Sequence, residues 1–187
     1  EIIFDMWNGQ NPGTTGYGRL MIGVTGSSSG SPFRITCASG SDGFADVLIG
    51  DNLTTGSLES WAHYALSFKN NGPGIRTRLY VNGVLNHERS LGTDIGEITG
   101  SLTANIGALQ TAPTTATIGT IIEGDGKLSG SLDEFRFWKA ERNVKEIGRH
   151  WFKQYAGGVN TDIANTTLGV YYKFNEGVTG TASIDQT

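Results

Sequence analysis

"RTRLYVNGVLNHER", residues 76–89, decides the fold. Asn82-Gly83 stands between two β-rich runs and matches the two-residue type I′ turn, which requires positive φ at both central positions. A hairpin about 82–83 follows. Just upstream, "SWAHYALSFK" (60–69) alternates so that Ala62, Tyr64, Leu66 and Phe68 share one face, the period of a long strand.

The same pattern of short apolar runs separated by turn residues extends outward from this hairpin. "EIIFDMW" (1–7), "RLMIGV" (19–24), "PFRITCAS" (32–39) and "FADVLIG" (44–50) read as strands, joined by "NGQNPGTTGYG", "TGSSSGS" and "GSDG". "SLTANIGAL" (101–109) and "TATIGTIIEG" (115–124) read as further strands, each with a Gly that marks a bulge or a close sheet contact. "GKLSGSLDEFRFW" (126–138) closes the set. Helix is expected once: Asn143 caps it with Glu146 three residues on. Val144, Ile147, Trp151 and Tyr155 fall on one face, and Gly157-Gly158 ends the run.

Composition agrees. The chain has 187 residues, room for one domain of good size, with 28 Gly, 4 Pro and 17% charged residues, a profile of turn-rich all-β architecture. Net charge is -4 with Lys and Arg scattered, which speaks against nucleic acid as a ligand. No apolar run approaches the roughly 18 to 20 residues that span a bilayer, so no membrane partner is expected. Cys37 is the single cysteine, which rules out an internal disulfide and reads as a small buried strand residue.

"WAHYALSF", "LYVNGVL", "NIGA" and "GSLDEFRFWKAERNVKEI", in that order, resemble the laminin G-like, concanavalin A-like jelly-roll family, in particular its pentraxin-related branch of bacterial and phage surface proteins. The resemblance covers roughly residues 1 to 155 and implies a two-sheet antiparallel jelly-roll sandwich with one short C-terminal helix. Residues 1–158 form that domain, its N-terminal strand lying before Glu1. The tail "LGVYYKFNEGVTGTASIDQT" is similar to the segment that opens such domains, so 159–187 is either a final strand or the start of a following repeat. The chain thus reads as a piece of a longer polypeptide.

Asp133 and Glu134 are the adjacent acids whose role matters most. Alternation puts Asp133 on one face with Phe135 and Phe137, and Glu134 on the other with Arg136 and Trp138. If the Phe rings face the core, Glu134 and Arg136 form a surface pair worth ~0 to 1 kcal/mol. Asp133 then lies at a dry strand entrance, where its carboxylate needs backbone N–H donors, a cation or a metal. The resemblance points to Ca2+ at Asp133, since relatives bind calcium near this position; backbone donors are the alternative.

Catalysis is not expected. Asp133 and Glu134 point to opposite faces, while Glu1 and Asp5 share a parity but stand ~13 Å apart, too far for either glycosidase geometry. No nucleophile elbow, P-loop, zinc-protease or dinucleotide motif is present. His63 reads as packed and hydrogen-bonded, and neither His87 nor His150 has a second ligand at metal spacing. Among the aromatics, Trp7 and Tyr17 are the candidate ligand-binding rings on loops. Trp61, Phe135, Phe137 and Trp151 read as core, and Trp138 as covered by the following helix.

The function implied is a non-catalytic recognition or adhesion module of a larger extracellular or virion-surface protein. Its partners would be a glycan or surface polymer and neighbouring domains or subunits. A purely structural spacer is the rival reading.

Overall fold

The computed structural model describes residues 1–25, 30–109, 126–155 and 167–174. Along the chain these form β1 (Ile2–Trp7), β2 (Gly18–Val24), β3 (Phe33–Ser39), β4 (Asp42–Ile49), β5 (Tyr64–Asn70), β6 (Ile75–Val81) and β7 (Val84–Leu91). After these come β8 (Thr103–Ile106), β9 (Phe135–Trp138), α1 (Val144–His150) and β10 (Leu168–Tyr172). The expected strand at 115–124 lies outside the described residues, as do Gly157-Gly158 and the tail past residue 174.

One sheet runs β4-β3-β2-β1-β8, a second β5-β6-β7, and β9 pairs with β10 in a ribbon, all antiparallel. Alternation explains how they close. Phe33, Ile35 and Cys37 of β3, with Phe44 and Ile49 of β4, meet Ile75 and Leu79 of β6 and Leu91 of β7 in one core. Burying an aliphatic side chain such as Ile35 or Leu79 contributes about 1.5–3 kcal/mol. Tyr64, Leu66 and Phe68 of β5 pack on the same core, as their shared face predicts. Cys37 is buried as expected, and burial pushes its thiol up to about 12. The architecture is the expected all-β jelly-roll sandwich with one short helix.

The ribbon joins through three rings. Phe4 pairs with Ile22, between the core residues Leu20 and Val24 of β2, so its ring points inward. Phe135 and Phe137 lie 5.4 and 5.8 Å from it, which sets β9 against β1 from the opposite layer. Both rings therefore face inward, as the sequence indicates.

The hairpin forms as read. Asn82 and Gly83 adopt φ of 49° and 79°, and Val81 pairs with Val84 across them. Gly83 is required twice over, because a Cβ there would also lie 2.2 Å from the Trp151 ring. Helix α1 starts where its capping box predicts: the Asn143 side chain accepts from the backbone N–H groups of Lys145 and Glu146, and the Glu146 carboxylate accepts from Asn143 N. The helix ends at His150, a turn early, so Tyr155 falls beyond it; Val144, at its first position, is exposed instead of packed. Segment 139–151 lies over the outer face of β5–β7, with Glu141 at Arg76 and Trp151 against Gly83.

Candidate functional site

The structure answers the question of the paired acids differently from alternation. Glu134 has a φ of 54°, outside strand geometry, and β9 begins only at Phe135. The parity argument therefore fails at Asp133, which is exposed instead of sitting at a dry strand entrance. Its Oδ1 accepts from the N–H of Glu134, 3.0 Å away. Among the described residues no group of three or more His, Cys, Asp or Glu side chains, Asp133 included, could hold a metal.

Glu134 is a clamp instead of a loose surface charge. Its carboxylate accepts from Arg136 at 2.9 Å, from Gln154 at 3.0 Å and from the Tyr171 hydroxyl. Partial burial would raise the pKa of Glu134, but the hydrogen bonds from Tyr171 and Arg136 outweigh it and hold the carboxyl below its ordinary value. The Arg136 guanidinium sits 5.0 Å from the Tyr155 ring and 5.3 Å from the Tyr171 ring, and donates to the carbonyls of His150 and Lys153. The pair thus fastens β9, β10 and the end of α1 together. Trp138 is covered not by the helix itself but by residues that flank it, Arg142 at 4.4 Å and Tyr155 at 5.2 Å.

Trp7 and Tyr17, expected to offer rings to a ligand, are interior. They are 8% and 2% exposed and form a cluster with Ala38. The loop between β1 and β2 folds back on the outer face of the five-stranded sheet. Asn8 accepts from Gly18 N and donates to Gly16 O, and Trp7 Nε1 donates to Gln10 O at 2.8 Å. Under these rings Arg19 donates twice to Asp5, and both side chains are fully buried. Sequence reasoning missed this pair, although an Asp inside an apolar strand and an Arg opening the next one were its visible signal.

Trp61 makes the opposite move. Read as core, it is 73% exposed. Strand β5 starts at Tyr64, so the alternation carried back to position 61 had no strand to act on. Three large apolar side chains are left open at this end of the sandwich: Trp61, Val84 at 70% on the hairpin tip, and Phe152 at 64% just past α1. His63 and Trp151 pack with ring centroids 6.0 Å apart, and Phe152 meets Trp151 edge-on at 5.5 Å. Asn82 N donates to His63 O and His63 N donates to Asn82 Oδ1, which fixes the base of the hairpin turn. His63 is packed, but its buried Nδ1 makes no hydrogen bond among the described residues. Burial, aided by the Arg136 charge, lowers its pKa to about 4, so the ring is neutral near pH 7. A rigid base with exposed rings above it can stack on the apolar face of a sugar.

Past the other end of the β5–β6 hairpin, clefts of about 400 and 260 Å³ meet at Gly96 and Glu97. The smaller is lined by Thr15, Ser39, Ser41 and Asp42, hydroxyls and carboxylates with no aromatic wall. His87 is structural, its Nδ1 accepting from Gly50 N at 3.2 Å.

No curated protein and no solved structure matches the chain. A family model does, over residues 2–148, which takes in every strand from β1 to β9 and most of α1. Ordered hairpin, inward Phe pair and two-layer core agree with that match, and the chain belongs to the concanavalin A-like lectin/glucanase superfamily.

Proposed function

We propose that the chain is a non-catalytic carbohydrate-binding module that takes a glycan on the open end formed by Trp61, Val84 and Phe152. The observation that carries this is the exposure of Trp61, a large ring the fold does not use for its core. Superfamily membership is compatible with sugar binding, and Asn82 and the turn backbone stand close by to bond hydroxyls. Glu134 is engaged by three donors, which leaves it poorly placed to pass a proton to a glycosidic oxygen. The setting that fits is an extracellular or virion-surface protein, where such a module serves recognition or adhesion.

Binding of the 187-residue chain to a glycan array tests the reading. Trp61→Ala should abolish retention while shifting stability by no more than about 0.5 kcal/mol. A blank array, or retention indifferent to Trp61→Ala and Phe152→Ala together, favours the spacer reading. Calcium at Asp133 is a separate proposal and needs further ligands from backbone carbonyls or from outside the described residues. It predicts a thermal midpoint that rises with calcium in the parent but not in Asp133→Ala.

A further inference from the structure

We propose that the outer face of β5–β7 is a receptor for a sugar carboxylate, a uronate of an acidic polysaccharide, and that Glu141 fills it in cis. The inference takes its ligand class from the glycan reading but rests on residues away from Trp61.

Pairing sets out that face. Ser67 stands opposite Arg78, Lys69 opposite Arg76, and Ala65 opposite Tyr80, so Lys69, Arg76, Arg78, Ser67 and Tyr80 all point away from the core. Glu141 reaches down onto them from the loop between β9 and α1. Arg76 Nη2 donates to both carboxylate oxygens, at 2.9 and 3.1 Å. Arg78 Nη1 lies 3.5 Å and Lys69 Nζ 3.6 Å from the same group. Three cations converge on one carboxylate, and Glu88, bonded to Arg78 Nε, is the other acid at the site.

The site has more hydrogen-bonding capacity than Glu141 uses. Tyr80 is 0% and Ser67 6% exposed; the Tyr80 hydroxyl is within reach of Ser67 and Arg78, yet Tyr80 Oη, Ser67 Oγ and Arg76 Nε make no well-formed hydrogen bond among the described residues. Buried polar groups left unpaired cost about 1–3 kcal/mol each, so their gathering beside a cationic cradle calls for a ligand. A uronate brings a carboxylate for Arg76 and for Arg78 Nη1, and hydroxyls for the polar groups that Glu141 covers until it yields. Lys69 is exposed and leaves one side open to solvent. Glu141 is free to yield, because the Asn143–Glu146 capping box and the seat of Trp151 on Gly83 already hold α1.

The test is calorimetric titration of the 187-residue chain with polygalacturonate and with its methyl ester, which keeps the sugar backbone and removes the charge. Arg76→Gln should weaken polygalacturonate binding by roughly tenfold and Glu141→Gln should tighten it by a similar factor, with added salt weakening it in the parent. The ester should respond to neither substitution. If Arg76→Gln does not fold, Lys69→Gln on the exposed rim should give a several-fold loss. Affinity for polygalacturonate unmoved by Glu141→Gln and by the cation variants overturns the proposal, as does equal affinity for polyglutamate. Binding of the ester alone, lost in Trp61→Ala, sinks this inference and spares the glycan reading. Binding of neither polymer, together with a blank array, sinks both.

Discussion

Arg19 holds Asp5 from the neighbouring strand by two hydrogen bonds, Nε to Oδ1 at 2.8 Å and Nη2 to Oδ2 at 2.7 Å, in a place closed to water. The Trp7 ring lies 5.6 Å from the guanidinium, so charge, ring and loop form one unit on the outer face of the five-stranded sheet. Removing one partner strands the other. Arg19→Met should cost about 3–5 kcal/mol in urea unfolding, and adding Asp5→Leu should restore much of it. Equal losses in the single and double variants would mean that packing, not charge, sets the cost.

Gly83 supplies both a left-handed turn residue and a seat for Trp151. Gly83→Ala should destabilise by about 1–3 kcal/mol, through overpacking and strain at a positive φ. In a Trp151→Ala background the clash is gone, so the added cost of Gly83→Ala should shrink to the turn strain alone.

His63 makes stability depend on pH. Its folded pKa of about 4 lies below the ordinary 6.5, so between these values the unfolded chain binds the extra proton. Stability from this group is full above about pH 6.5, declines as pH falls and is gone below about 4. The charged neighbour at this ring is Arg136, whose proximity opposes protonation of His63. His63→Phe, which keeps a ring against Trp151, should flatten the thermal midpoint across that window. Glu134, also held below its ordinary value, governs a more acidic limb that His63→Phe should leave in place.

The Tyr171 hydroxyl ties β10 to the Glu134 carboxylate. Tyr171→Phe should cost about 1.5–3 kcal/mol, the scale of a hydrogen bond to a charged group. Amide exchange in 168–172 should quicken before exchange in β3 or β6 does. Uniform acceleration across all strands would show instead that the ribbon and the core open as one.

The hairpin, the helix cap and the inward faces of β5 and β9 were legible because each rests on local chemistry: a positive-φ pair, an Asn–Glu box, a period of two. What escaped was set by where strands begin and by what folds over them. Position 61 was assigned to a strand that starts three residues later, which hid the exposed Trp. Position 133 was counted through Glu134, whose left-handed backbone resets the phase. Trp7 and Tyr17 looked like loop residues, and nothing local in "NGQNPGTTGYG" announces that the loop turns back over Arg19. Glu141 on three cations is a long-range meeting that pattern alone does not reach.

Among the described residues, strand β10 is secured chiefly by β9 and by the tyrosine–arginine stack beside it. Tension applied beyond residue 174 would therefore load a two-stranded seam before it loads the layered core.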